Sequence, residues 1–104
     1  MVDRKQLAIE FAKSLNHPEI EKIILFGSVA RGEDTAESDI DILIITKNIN
    51  DDLKIRDDVY DKVIDVLLET MVRISVKMRT IEHYETYKDF PFYSNVEKDG
   101  VLIG

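Results

Sequence analysis

The hydrophobic positions in the first half of the chain predict one helix followed by two strands. Leu7, Phe11 and Leu15 recur at intervals of four, which is the spacing of an amphipathic helix. Two nearly continuous apolar runs come after this helix, and such runs are typical of strands buried on both faces of a sheet. The predicted elements are a helix over residues 3–15 and strands over residues 20–26 and 39–46.

The second half of the chain predicts a long helix, one further strand and two short helical segments. The long helix carries an apolar stripe with the helical period, at Leu53, Val59 or Tyr60, Val63, and Val66 or Leu67. Strict alternation of apolar and polar residues then indicates a half-buried strand. The predicted elements are a helix at 50–71 capped by Asn50 or Asp51, a strand at 73–79, a helix from its cap Thr80 to Lys88, and a helical turn from Pro91 to Lys98 that Gly100 ends.

The composition fits one globular unit, which we expect to be a single α/β domain over residues 1–104. Hydrophobic residues make up 44% of the chain and charged residues 34%, a balance unlike that of disordered sequences. The sequence contains no cysteine, which excludes disulfides, thiolate metal sites and cysteine nucleophiles.

The net charge of −7 argues against a broad nucleic-acid surface, because affinity for phosphate backbones comes mainly from clustered Lys and Arg. A small phosphorylated ligand stays compatible with this charge, since a magnesium ion supplies positive charge locally. The N-terminal segment has no apolar run of the signal-peptide type, and no segment reaches the roughly 20 apolar residues of a membrane span. We therefore expect a soluble, cytoplasmic protein with no membrane partner.

Two polar motifs lie at the ends of the first two predicted strands. Gly27 lets the backbone turn sharply and approach a ligand, and Ser28 adds a hydroxyl and an amide that suit a phosphate. Asp39 and Asp41 are separated by one residue, so their side chains emerge on one face of the strand with Cα atoms roughly 6.5–7 Å apart. The pattern predicts a phosphate-binding turn and a pair of carboxylates.

The carboxylate pair predicts a site for a hard divalent cation. Two carboxylates at this separation can share one cation or a pair of cations. No basic residue lies between Arg31 and Lys47 in the sequence, so nothing nearby along the chain neutralises the two charges. Like charges side by side are unfavourable unless water or a cation compensates, which makes Mg²⁺ the natural partner.

The arrangement of Gly27-Ser28, ten further residues and then Asp39-Ile40-Asp41 resembles the signature of the polymerase-beta-like nucleotidyltransferase superfamily. Gly-Ser-x-Ala-Arg-Gly followed by Ser-Asp-Ile-Asp is most similar to its minimal nucleotidyltransferase (MNT) branch. The similarity is strong over residues 20–46 and looser over residues 91–100. It implies a single-domain nucleotidyltransferase fold of the α/β (α+β) class, with a short mixed sheet flanked by helices.

The same resemblance implies the transfer of a nucleoside monophosphate, expected to be AMP from ATP, to a hydroxyl acceptor. Gly27 and Ser28 would bind the β- and γ-phosphates, and Asp39 and Asp41 would be the catalytic pair that carries Mg²⁺. The acceptor oxygen would attack the α-phosphate and release pyrophosphate. Positioning and charge neutralisation supply most of the rate in reactions of this kind.

The sequence departs from that family at a third carboxylate, which active members usually carry on the strand after the long helix. The corresponding outward position is Ser75, a poor magnesium ligand and a poor base. Lys77 shares its face and can touch phosphate, but cannot replace a carboxylate. Three interpretations stay open: catalysis with two carboxylates and help from a partner or substrate, nucleotide binding without turnover, or another acid such as Asp65 or Glu69 in the missing role.

The resemblance also implies a protein partner. Members of the MNT branch commonly pair with a helical HEPN-type toxin as its antitoxin, and can transfer AMP to a toxin tyrosine. Transfer to an aminoglycoside or to RNA is disfavoured, because the chain has neither a second domain for a small substrate nor an evident basic surface. The competing hypothesis is a catalytically weak or inactive subunit that neutralises its partner by binding alone, and homo-oligomer formation is left open.

Several other polar and aromatic residues have competing interpretations. Arg31 is a candidate for nucleotide binding, and pairing with the loop carboxylates Glu33 and Asp34 explains it equally well. His17 and His83 each lack a second histidine nearby, which favours surface positions over metal ligation. An aromatic cluster near the C-terminus is expected to serve core or interface packing, and comprises Tyr84, Tyr87, Phe90, Phe92 and Tyr93.

Overall fold

A computed structural model describes residues 2–47 and 53–104 and shows helices and strands alternating along the chain. In chain order the elements are α1 (Arg4–Ser14), β1 (Ile20–Phe26), α2 (Gly27–Arg31), β2 (Ile40–Thr46), α3 (Leu53–Thr70), β3 (Ile74–Thr80), α4 (Ile81–Tyr87), α5 (Pro91–Asp99) and β4 (Val101–Leu102). The predicted α/β class with a mixed sheet flanked by helices is confirmed. Among the helices in the described ranges, none combines the length and apolar character that a membrane span requires.

The four strands form one sheet in the order β3-β2-β1-β4. β1 is antiparallel to both β2 and β4, whereas β2 and β3 are parallel. In this register Asp41 lies between Phe26 of β1 and Ser75 of β3. The end of β1 and the beginnings of β2 and β3 therefore meet at one edge of the sheet, where both polar motifs lie.

Different helices cover the two faces of the sheet. The first face carries the larger core, in which α1, α2 and α3 pack on alternate residues of the strands. The second face is covered by α4 and α5, with a smaller core of Leu43, Ile45, Tyr84, Tyr93 and Val96. β2 is buried on both sides, as its continuous apolar run predicted. β1 is buried on the first face at Ile23 and Leu25 and only half-buried on the second, so the prediction is confirmed in part for this strand.

The predicted elements are confirmed to within one residue at each end that the structure describes. Thr80 caps α4 as predicted, because its hydroxyl accepts a hydrogen bond from the His83 amide at 3.1 Å. The predicted caps of the long helix, Asn50 and Asp51, lie outside the described residues. β4 was not predicted, since a two-residue strand shows no periodicity and exists only through its pairing with β1.

The apolar stripe predicted for α3 was partly wrong. Ile55 and Val59 are buried against the first face of the sheet. Val63 and Val66 also pack against this face, as predicted. Leu53 is 63% exposed, and the alternatives Tyr60 and Leu67 are 49% and 37% exposed. The helix is apolar over a wider arc than one packing face, and only the side turned toward the sheet is covered.

A buried arginine fastens α1 to the loop that carries the carboxylate motif. Arg4 is only 6% exposed, and its guanidinium donates hydrogen bonds to the carbonyl oxygens of Ser38 at 2.9 Å and Ala36 at 2.7 Å. These bonds hold the residues immediately before Asp39. Since the contact joins residues more than thirty positions apart, nothing in the local sequence pattern indicates it.

Replacing this arginine tests how strongly the loop depends on it. Arg4→Met should lower the free energy of unfolding by about 2 kcal/mol, because charge-assisted hydrogen bonds are lost and two carbonyl groups lose their partners. Lys5→Met, at the exposed neighbouring position, should change stability by less than about 0.5 kcal/mol. Urea denaturation measures both values, and equal effects of the two substitutions would contradict the structural role of Arg4.

Candidate active site

The turn after β1 touches the carboxylate motif on β2. Phe26, the last residue of β1, pairs with Asp41, so Gly27 lies directly beside the Asp41 side chain. A Cβ atom placed on Gly27 would be 2.3 Å from Asp41 Oδ2, and the φ angle of Gly27 is +79°. Both the backbone conformation and the space therefore require glycine here. The structure brings together two motifs that are a dozen residues apart in the sequence.

Ser28 is the second residue of α2 and lies in its first turn, immediately beyond this contact. Amides in the first turn of a helix have no acceptor within the helix, so they can donate to an outside group. The hydroxyl of Ser28 adds a further donor at the same point. The turn thus presents hydrogen-bond donors next to Asp41, which is the arrangement that an anion bridged to a cation requires.

The two carboxylates differ in their surroundings. Asp41 is half-buried, and burial raises the pKa of its carboxyl above the usual range. The nearby charge of Asp39 raises this pKa further, whereas Lys77 and Arg31 lower it. A raised pKa means that the surroundings destabilise the ionised carboxylate of Asp41 relative to its protonated form. A bound cation would stabilise the ionised form.

Basic residues lie close to the carboxylates, contrary to what the local sequence indicated. Arg73 Nε is 3.7 Å from Asp39 Oδ1, and Lys77 lies close enough to affect the pKa of Asp41. Both residues belong to the segment that runs parallel to β2, and the Ile40 amide donates to the Arg73 carbonyl at 2.9 Å. The expectation that nothing neutralises the pair failed because it considered neighbours in sequence only.

The position of the third carboxylate is occupied by serine. Ser75 pairs directly with Asp41 across the parallel strands, on the same face of the sheet. Asp65 and Glu69 lie on α3 beside α1, on the opposite face, which excludes them from this role. In residues 2–47 and 53–104, no three Asp, Glu, His or Cys side chains gather closely enough to hold a metal ion.

The donor chemistry nevertheless fits a magnesium ion that arrives with a nucleotide. Magnesium is commonly bound by one or two carboxylates together with the phosphate oxygens of a substrate. Asp39 and Asp41 provide the carboxylates, and the donors at Ser28 lie where a phosphate chain would be held. The close approach of Gly27 to Asp41 keeps the two halves of such a site together.

Arg31 is already engaged by acidic side chains at the surface. Its Nη1 lies 3.2 Å from Asp99 Oδ2 of α5, and its Nε lies 3.5 Å from Glu33 Oε2. The hydrogen bond to Asp99 raises the pKa of the guanidinium. Pairing with Glu33 is confirmed, Asp99 was not anticipated, and a role of Arg31 in nucleotide binding stays a prediction.

Both histidines make hydrogen bonds away from the carboxylates. His17 Nε2 lies 2.7 Å from Asp58 Oδ2, and this contact ties the loop before β1 to α3. The ring is half-buried by that contact, so the expected plain surface position was wrong. His83 is exposed as expected, and its Nδ1 lies 2.6 Å from the Tyr93 hydroxyl.

A family model described as polymerase beta, nucleotidyltransferase, matches residues 8–103 of the chain. The chain belongs to this nucleotidyltransferase family. Two relatives of this nucleotidyltransferase come from Methanocaldococcus jannaschii, and both are provisionally named protein adenylyltransferases. MJ0604 is 37% identical over 95 residues, which cover 88% of this chain and 85% of the relative. MJ0141 is 31% identical over 97 residues, which cover 90% of this chain and 92% of the relative.

Two solved structures share the fold of this nucleotidyltransferase. One is a toxin–antitoxin with AMP-PNP, with a TM-score of 0.59 and 19% identity over 99% of this chain and 73% of that chain. The other is a tri-AMPylated Shewanella oneidensis HEPN toxin in complex with an MNT antitoxin, with a TM-score of 0.54 and 18% identity over 96% of this chain and 71% of that chain. Together with the family match and the relatives, they confirm the resemblance to the MNT branch.

The two glycines with positive φ provide a matched test of the contact with Asp41. Gly32→Ala should cost about 1 kcal/mol of stability because its φ is positive, and Gly27→Ala should cost more, because its Cβ would also collide with Asp41. Only Gly27→Ala also displaces the Asp41 carboxylate, since a Cβ at Gly32 meets nothing within 4 Å. Calorimetry with ATP and Mg²⁺ should show at least a roughly tenfold loss of affinity for Gly27→Ala, equivalent to about 1.4 kcal/mol. An equal loss for Gly32→Ala would refute the role of the contact.

Proposed function

We propose that this nucleotidyltransferase transfers the adenylyl group of ATP to a hydroxyl of a partner protein in a Mg²⁺-dependent reaction. The observation that carries the proposal is the contact between the Gly27 turn and Asp41, with Asp39 immediately before β2 and close enough for its charge to raise the pKa of Asp41. The names of the two archaeal relatives support protein adenylylation as the activity.

The candidate residues would act on two different parts of the nucleotide. The donors at Ser28 would bind the β- and γ-phosphates, which become the leaving pyrophosphate, and Asp39 and Asp41 would hold the cation. Bound there, Mg²⁺ would offset the charge of the phosphates and of the two carboxylates. The new bond joins the acceptor oxygen to the α-phosphorus, and the bond between that phosphorus and the bridging oxygen of pyrophosphate breaks.

The missing third carboxylate favours an acidic hydroxyl as the acceptor. Ser75 offers no base at neutral pH, so the proton of the acceptor passes to water. A tyrosine phenol, with a pKa of about 10, gives up its proton more readily than an aliphatic alcohol. A tyrosine side chain therefore suits this site better than a serine or threonine would.

The outer face of α3 supports a protein as the acceptor. We define this face by five side chains that point away from both cores and are between 37% and 83% exposed, namely Tyr60, Ile64, Leu67, Leu68 and Met71. Tyr60, Ile64 and Leu67 follow one another at intervals of four and three, which is the spacing of a seam between two packed helices, and Met71 comes directly after the end of α3. Apolar patches of this kind mark interaction sites.

The same face continues to the carboxylates. Leu67 and Met71 line a groove of about 210 Å³ together with Asp39 and Arg73. A helical protein seated on the outer face of α3 would therefore lie beside the reacting groups. Exposed acidic residues, including Asp61 and Asp65, border the face and favour a basic helix over a second copy of this acidic chain. We accordingly propose a helical, HEPN-type partner, as in the MNT complex that shares the fold.

A second candidate function is neutralisation of the partner by binding alone. The observations that favour it are Ser75 in place of a carboxylate and the pairing of Asp39 with Arg73, which competes with a cation. In that case the outer face of α3 would carry the activity and ATP would be dispensable.

Removing the carboxylate charges separates the two functions. Asp39→Asn with Asp41→Asn should abolish Mg²⁺-dependent release of pyrophosphate from ATP and labelling of the partner, because no anionic ligand remains. Pyrophosphate release and the mass of the partner are measured. Only the wild type should add AMP to the partner, which increases its mass by about 329 Da for each AMP transferred. Full neutralisation of the partner by the double variant would instead establish the second candidate.

The outer face of α3 can be tested independently of the chemistry. Ile64→Asp with Leu68→Asp should weaken the complex with the cognate HEPN-type protein by roughly a hundredfold, because charges then replace apolar side chains at the seam. Leu102→Asp alters a residue of similar exposure on β4, away from α3, and should leave the complex intact. Surface plasmon resonance measures both affinities. Undiminished binding of the α3 variant would exclude this face as the interface.

A further inference from the structure

An open groove lies between α4, the beginning of α5 and the end of β3. It has a volume of about 420 Å³, and we call it the aromatic groove. Its lining consists of Arg79, His83, Tyr87, Phe90, Phe92 and Tyr93. The acceptor chemistry and the phosphate-binding turn use none of these residues.

The rings of the groove are held in place but are not all covered. Tyr87 and Phe90 pack edge to face with centroids 5.2 Å apart, and His83 lies 4.7 Å from Tyr87. Tyr87 is nevertheless 39% exposed and Phe90 59% exposed, in contrast to the buried Tyr93. The expectation that the aromatic cluster serves packing is confirmed for the buried rings. Packing does not explain why Tyr87 and Phe90 are exposed.

One wall of the groove adjoins the candidate active site. Phe92 packs edge to face against Phe26 with centroids 5.9 Å apart. Phe26 pairs with Asp41 and directly precedes Gly27. Asp41 lies on the same face of the sheet as the groove, because Ile40 and Ile42 lie in the core of the opposite face. A ligand held at the carboxylates can therefore reach the groove without crossing the sheet.

The order of the strands also indicates in which direction such a ligand would extend across the sheet. The phosphate-binding turn follows β1, the carboxylates lie at the start of β2, and β3 lies on the far side of them. Arg79, on β3, is four residues beyond Ser75, a distance of roughly 13 Å along a strand. A molecule with its phosphate tail at Ser28 would thus project its other end over β3 and toward the groove.

The chemistry of the lining suits a planar, nitrogen-containing ring. Exposed aromatic faces bind nucleobases by stacking, whichever base is presented. Arg79 and His83 add hydrogen-bonding groups at the rim, and the contact of His83 Nδ1 with the Tyr93 hydroxyl at 2.6 Å fixes the orientation of the imidazole. The Arg79 guanidinium is similarly oriented by donating to the Met78 carbonyl at 2.7 Å.

We propose that the aromatic groove binds the base of the nucleotide, with Tyr87 and Phe90 as stacking residues. The inference rests on the proposed function, since it assumes that ATP is the ligand of the carboxylate site. It assigns the exposed rings to nucleotide binding and leaves the outer face of α3 to the protein partner.

Binding of ATP and of tripolyphosphate, each with Mg²⁺, separates the base from the phosphates. In calorimetry, Tyr87→Ala and Phe90→Ala should each weaken ATP binding roughly tenfold and leave tripolyphosphate binding unchanged. Tyr87→Phe keeps the ring and should retain ATP affinity. Leu102→Ala is the control, because Leu102 is 64% exposed on β4 and does not line the groove. Circular dichroism of each variant verifies that it is folded.

Each alternative result has a defined meaning. Equal affinity of the wild type for ATP and tripolyphosphate would overturn the base-binding role while leaving the phosphate site intact. An effect of Tyr87→Ala on labelling of the partner, with unchanged ATP affinity, would also overturn it, because the groove would then hold the acceptor's ring. If neither compound bound to the wild type, or if the Asp39→Asn, Asp41→Asn variant bound tripolyphosphate equally well, the proposed function itself would fail.

Discussion

The close contact between the backbone of Gly27 and the carboxylate of Asp41 is the constraint on which the candidate site depends. The antiparallel pairing of β1 with β2 places Phe26 opposite Asp41, and the chain must then turn away within one residue. Only a residue without a side chain can make that turn, because φ is positive and the space is already occupied by Asp41 Oδ2. The donors of the turn and the carboxylates thereby become parts of a single site.

The electrostatics of the site reflect an excess of negative charge that tertiary contacts only partly offset. Burial and the charge of Asp39 raise the pKa of Asp41, while Lys77 and Arg31 oppose that effect. Arg73 pairs with Asp39 from a largely exposed position, where such pairs contribute little. The balance leaves room for a divalent cation and its phosphate ligands.

Two uncovered surfaces flank this site, and they differ in character. The outer face of α3 is aliphatic, follows the spacing of a helix seam and shares a groove with Asp39. The aromatic groove lies on the other side of the sheet and is lined by rings with polar groups at the rim. A small domain with a four-stranded sheet covers its central strands and little else. The remaining apolar surface is therefore available for ligands and partners.

The sequence by itself determined most of the helices and strands and predicted which residues form the candidate site. Periodicity is a local property, so the bounds of β1 and the cap at Thr80 could be predicted from neighbouring residues alone. The one-residue separation of Asp39 and Asp41 predicted a common face, because side chains alternate along a strand. Asp39 lies immediately before β2, so this common face stays a prediction. The resemblance to the nucleotidyltransferases implied a third carboxylate, and the alternation of side chains along the strand identified Ser75 as the residue at its position.

Only the tertiary structure decided what surrounds these residues. Three contacts around the site join residues that are distant in sequence. They are the hydrogen bonds of Arg4 to the loop before Asp39, the ion pair of Arg73 with Asp39, and the ion pair of Arg31 with Asp99. The apolar arc of α3 is likewise wider than its packing face, and only the docking of the helix shows which side stays exposed. Local patterns report which side chains share a face, whereas the partners of that face depend on how separate elements pack.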